Sequence, residues 1–136
     1  VSTYEIPFKH QNLGIMRIEE LSELYGKCDL CLVISNTNLS LLPLEVMASG
    51  SVAVCSKGAN SEWLVNEDNS ILVSYDPIEI ADTMYSYMID SIKLDNIRKK
   101  GIEFAQNTSW DVEGKKVLEA VLKGIKEDEK CINNRG

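Results

Sequence analysis

The chain has 136 residues, 44% apolar and 26% charged, with a formal net charge of −7 from 14 basic and 21 acidic residues. That length holds one domain with a real core and is short for two. An excess of acid argues against a general nucleic-acid-binding face, so an anionic ligand has to be held locally, by backbone N–H groups, a helix N-terminus or single cations.

No apolar run is long enough to span a bilayer, and Val1–Lys9 lacks the basic start and apolar stretch of a signal peptide. A cytoplasmic location is the default expectation. The first residue is Val rather than Met, as in an excised piece of something longer. Of the four cysteines, Cys28 and Cys31 form a C-x-x-C, but a second metal-binding pair is missing and His10 lies far upstream. Cys31 and Cys55 sit inside apolar runs, where a free thiol packs as a small hydrophobe. Neither a metal nor a cofactor is expected.

Val1–Gly14 has little periodicity. Arg17–Tyr25 places Ile18, Leu21, Leu24 and Tyr25 on one helical face, with Gly26 as a stop. The apolar run within Asp29–Ser35 predicts a strand buried on both faces, as in a parallel sheet. After the polar Asn36–Leu42 loop, Pro43–Ser49 is a helix opened by its proline and closed by Gly50. Val52–Cys55 is a second strand, Ser61–Val65 a short helix between turns, and Ile71–Val73 a third strand. Asp76–Ile89 is a helix capped by Asp76, with Pro77 in its first turn and Glu79 placed for a capping box. A helix from about Leu94 to Ala105 follows. Thr108 or Ser109 caps the last helix, which carries Val117, Leu118, Val121, Leu122 and Ile125 on one stripe.

Strands alternating with helices predict an α/β fold, a Rossmann-like parallel sheet flanked by helices. Three strands are few, so either Val1–Gly14 supplies another or the sheet's beginning lies outside the chain. Residues 1–128 form the domain, and 129–136 are expected to be a flexible tail.

Ligands of open α/β sheets bind beyond the carboxyl ends of the strands, which selects the loops Ser35–Pro43 and Ser56–Ser61. The first is rich in Ser, Thr and Asn and runs into a helix N-terminus, where free N–H groups favour a phosphate. It is equally a good capping loop. Glu45, in the first turn of that helix, either accepts hydrogen bonds from a ribose diol or complements the helix dipole.

Tyr25–Gly50 reads Y-G-K-C-D-L-C-L-V-I-S-N-T-N-L-S-L-L-P-L-E-V-M-A-S-G. This resembles the core of the donor-binding domain of group 1 glycosyltransferases with the GT-B fold. There, a helix ending in Tyr leads to an apolar strand, a loop and L-E-x-M-A-x-G. Val52–Val54, Gly58–Leu64 (G-A-N-S-E-W-L), Asp68–Val73, Asp76–Ala81 and Ser109–Trp110 resemble later family segments in the same order, so the resemblance covers roughly Leu13–Leu122. The variant S-x-T-N-x-S-x-x-P-x-E-x-M-A-x-G, followed by N-x-E-W-L, is most similar to bacterial transferases of rhamnan and related surface-polysaccharide synthesis.

The resemblance implies one half of a GT-B enzyme, incomplete at its N-terminus. Such an enzyme moves a sugar from a nucleoside-diphosphate sugar to a glycan acceptor, usually with retention and without a catalytic metal. Glu45 matches the second acid of the family's E-x7-E, which binds the donor's ribose. Thr37 stands where the first acid belongs, which puts that acid's contacts to the donor sugar in doubt. The small-residue loop falls on Asn38, Leu39, Ser40 and Leu41 and would offer backbone N–H groups to the diphosphate. The Gly58 turn would lie near the donor, with Glu62 either binding or capping. No catalytic residue is assigned within the chain. Because the acceptor domain and the first β–α unit are missing, little transferase activity is expected from the chain alone. The full enzyme could touch a membrane peripherally.

His10 is expected in a surface or packing role, Trp110 in the core and Trp63 in the core rather than stacked on a base or sugar, and Lys57 either meets a phosphate or stays solvated. Lys99, Lys100, Lys115 and Lys116 are expected on wet helix faces. Competing readings are a sugar-nucleotide epimerase of the same fold and a non-catalytic binding or assembly module. A Rossmann dehydrogenase is disfavoured because no G-x-G-x-x-G follows a strand.

Overall fold

A computed structural model describes residues 7–133, with side chains to Lys126. Its elements in chain order are α1 (Ile18–Gly26), β1 (Leu30–Val33), α2 (Leu42–Ala48), β2 (Val52–Ser56), β3 (Ile71–Val73), α3 (Pro77–Met88), α4 (Ser91–Asn107) and α5 (Trp110–Asn133). The strands form one parallel sheet in the order β1-β2-β3, pairing Leu30 with Val52 and Val54 with Ile71 at their starts. Among residues 7–14 there is no strand, and residues 1–6 lie outside the described residues. The helical backbone of α5 runs into the 129–136 segment as far as Asn133, and residues 134–136 lie outside the described residues.

Side-chain alternation along the strands makes two cores. Ala53 and Cys55 of β2 face Val46 and Met47 of α2, with Val33, Leu39 and Val65 completing that side. Val52, Val54, Ile71 and Val73 face the other way, toward Leu94 and Ile97 of α4, with Ile80 and Met84 of α3 packed against them. Only β2 is buried on both faces along its whole length. Leu32 of β1 is 49% exposed, contrary to the expectation for that strand, because β1 is an edge strand in this sheet.

α4 crosses beneath the sheet. Arg98 reaches Asp29, the residue before β1, at 3.3 Å, and Lys100 reaches Asp68, just before β3, at 2.6 Å. Gly101 lies so close to the chain that a Cβ there would sit 3.0 Å from the Asn69 carbonyl oxygen and 3.2 Å from Met47 Cγ. These contacts all lie toward the strands' amino ends.

Several local expectations change. Ser61–Val65 is a pair of turns rather than a helix, with Ser61 and Glu62 N–H bonded to the Gly58 carbonyl and Val65 N–H to Ser61. α4 begins at Ser91, because the Asp90 carboxylate accepts from Lys93 N–H at 3.0 Å and caps it three residues earlier than the apolar pattern suggests. Asp76 does cap α3, accepting from Ile78 N–H at 2.8 Å. Glu79, however, accepts from Ser74 Oγ at 2.6 Å, and Ser74 in turn accepts from Asp76 N–H, so the capping box closes through Ser74. Ser109 Oγ accepts from Val112 N–H and caps α5, while Thr108 Oγ1 donates back to the Phe104 carbonyl and closes α4.

Candidate functional site

The loops at the carboxyl ends of the strands carry the residues singled out by sequence. Between β1 and α2, Leu39 is only 3% exposed and roots the loop in the α2-side core. Around it Thr37, Asn38 and Ser40 are exposed. Ser35 Oγ accepts from Thr37 N–H at 3.3 Å, and Asn38 Oδ1 accepts from Ser40 N–H at 2.9 Å. Ser40 has φ 55°, the left-handed region that a non-glycine residue enters at a cost. The loop is thus a built shape, with Ser40 N–H already bonded to Asn38. Helix α2 has seven residues and Pro43 lacks an N–H, which limits the donors its first turn presents.

Glu45 is exposed, in the first turn of α2, with its N–H bonded to the Leu41 carbonyl. Its charge reaches Tyr25, near the end of α1. Burial, then the Glu45 carboxylate, then Cys31 push the Tyr25 phenol above its ordinary value. Tyr25 was legible as the last apolar residue of α1 and as the Tyr that ends that helix in the family pattern, but not as a neighbour in the field of Glu45. Glu45 also lines a cavity of about 730 Å³ whose walls include Leu41, Leu44, Trp63, Phe104 and Trp110. Thr37, Asn38, Ser40 and Gly58 do not line it, so Glu45 and Leu41 join the cavity to the loop edge.

Both tryptophans depart from the core roles expected of them. Trp63 is 63% exposed, with its indole N–H bonded to the Asn60 carbonyl at 3.0 Å, and Trp110 is 80% exposed at the start of α5. They stand on the cavity rim, where a flat apolar ring next to a carboxylate suits a sugar or a base.

Gly58 has φ 135°, a backbone conformation that a side chain strains, although a Cβ there would meet nothing within 4 Å. Its N–H donates to Glu62 Oε1 at 2.8 Å, so Glu62 caps this turn. Lys57 is exposed, and its N–H extends the sheet by bonding the Val73 carbonyl at 2.7 Å. His10 is exposed and bonded to the Phe8 carbonyl two residues back.

Three side chains from the other strand ends converge on the root of the β1–α2 loop. Ser56 Oγ and the Tyr75 hydroxyl both donate to the Ser35 carbonyl, at 3.4 and 2.8 Å, and Asn60 Nδ2 donates to the Asn36 carbonyl at 3.3 Å. Nothing in the spacing of these residues announces this convergence.

Among the described residues no group of His, Cys, Asp or Glu is placed to hold a metal ion. Cys28, Cys31 and Cys55 are free thiols, and Cys131 lies outside the described side chains. Among the described residues no helix is long and apolar enough to cross a membrane.

A family model described as glycosyl transferases group 1 matches residues 9–90. An O-antigen biosynthesis protein, RfbC, from Myxococcus xanthus is 27% identical over 114 residues, which is 82% of this chain and 9% of that protein. Sucrose-phosphate synthase from Thermosynechococcus elongatus matches with a TM-score of 0.67 at 21% identity, over 82% of this chain and 30% of that one. That structural likeness is one of fold, an α/β fragment of the GT-B type. The chain spans less than a third of each of these two relatives.

Proposed function

The chain belongs to the group 1 glycosyl transferases, and from that membership we propose that it binds the nucleoside-diphosphate-sugar donor of a sugar transfer to a glycan acceptor. The observation that carries this reading is the position of Glu45. Its carboxylate is exposed one turn into α2, beside the 35–41 loop and on the lip of a cavity large enough for a nucleotide. A carboxylate so placed accepts hydrogen bonds from both hydroxyls of a ribose. The Asn38–Leu41 loop and the Gly58 turn then lie toward the diphosphate, and Trp63 toward the base or sugar.

The name of the Myxococcus relative supports a role in surface-polysaccharide synthesis. A rhamnosyl donor, retention at the anomeric carbon, a cytoplasmic setting and peripheral membrane contact of the full enzyme belong to the same proposal. So does the expectation that an acceptor domain outside this chain completes the cleft. Thr37, in place of an acid, favours a second reading, a module that assembles with partners without transferring sugar.

Calorimetric titration with uridine, guanosine and thymidine diphosphates and their sugars tests the donor reading. The expected result is micromolar-to-millimolar binding of one base, weakened in Glu45→Ala by about 1–3 kcal/mol, the scale of a hydrogen bond to a charged group. Equal affinity in Glu45→Ala would remove Glu45 from the site. No binding across the panel would favour the assembly module.

A further inference from the structure

We propose that Tyr75 is a positioning residue for the donor: its hydroxyl, bridging from the end of β3 to the Ser35 carbonyl, holds the 35–41 loop in the shape that receives a nucleoside diphosphate. The inference rests on the donor-binding reading and adds to it a residue outside every motif that suggested that reading.

The geometry is specific. β3 and β1 are separated by β2, so the two strand ends lie about 9.5 Å apart at ordinary strand spacing. A long side chain is needed to span that gap, and Tyr75 spans it with a bond of 2.8 Å. Tyr75 is 52% exposed, so burial alone does not account for its placement. The post it stands on is clamped on both sides. Ser74 bonds Glu79 and Asp76, and Asp76 caps α3. What it holds needs holding, because the loop bends through Ser40 in the left-handed region, a conformation that persists only when its surroundings fix it. Ser56, from β2, donates to the same Ser35 carbonyl and Asn60, from the turn after β2, to the neighbouring Asn36 carbonyl, both at longer range, 3.4 and 3.3 Å. The Tyr75 bond is the shortest of the three and the only one anchored on β3.

Tyr75→Phe keeps the ring and removes only the hydroxyl. Tyr85→Phe, on the exposed flank of α3, is the control. The measurements are amide hydrogen exchange over residues 35–41, the thermal midpoint, and titration with the nucleoside diphosphate that the parent chain binds. In Tyr75→Phe the expected result is faster exchange confined to 35–41, a nearly unchanged midpoint, and affinity lower by about three- to tenfold, the range for one neutral hydrogen bond. Tyr85→Phe should match the parent in all three. Unchanged exchange over 35–41 would overturn the strap, whether or not a nucleotide binds. Faster exchange with unchanged affinity would overturn its role in binding. A parent chain that binds no nucleoside diphosphate would overturn the donor reading itself, and this role with it, while the exchange data still report whether the strap holds the loop.

Discussion

Cys55 shows what burial does to a single reactive group. It lies within β2, fully buried, and burial pushes its thiol up to about 12. In the unfolded chain the thiol ionises near its ordinary value of 9.0. Between the two values the unfolded state loses the proton and the folded state keeps it, so stability falls as pH rises from about 9 toward 12 and is unaffected below that window. The slope from this one group is at most about 1.4 kcal/mol per pH unit. Denaturant titrations from pH 8 to 11 should therefore show a shallower decline in Cys55→Ala than in the parent, and parallel curves would refute the assignment. That Cys55 packs as a hydrophobe was legible from the apolar run around it. The exposure of Trp63 and Trp110 was not, because a large aromatic residue reads alike in a core and on a cavity rim.

At the scale of elements, helix ends followed local chemistry wherever a cap was written beside them, as Asp76 and Ser109 show. They departed where a short polar residue could act earlier than the apolar pattern, as Asp90 does for α4. Gly101 carries the opposite lesson. Inside a helix glycine is a poor former, and only the approach of α4 to Asn69 and Met47 explains it. A methyl group there meets a backbone oxygen that cannot swing away, so Gly101→Ala should cost about 1–2 kcal/mol despite the better helix propensity of alanine. Urea denaturation measures it, and a stabilised variant would show that the α2–α4 contact yields readily.

For the whole molecule, the sheet and α1–α4 enclose the two cores, while every described side chain of α5 is exposed, its apolar stripe included. Removing residues 110–136 should leave a cooperative transition with a midpoint within a few degrees of the parent, and it should reduce self-association by taking away an uncovered apolar face. Loss of the cooperative transition would show that α5 is part of the core. The cavity beside Glu45 depends on this helix too, since Trp110 forms one wall.

By itself the sequence determined the α/β class, the order of the three strands and the helices around them, and the place of Glu45 at a strand-to-helix loop. These follow from apolar periodicity, caps and motif spacing, which are local properties. The tertiary structure alone decided which strand end faces which loop. That choice brought Tyr25 within the field of Glu45, aimed Ser56, Asn60 and Tyr75 at two neighbouring carbonyls, and left Trp63 and Trp110 on an open rim. Contacts between residues 20 to 40 positions apart depend on how the strands stack and how far each side chain reaches, and no local pattern encodes either.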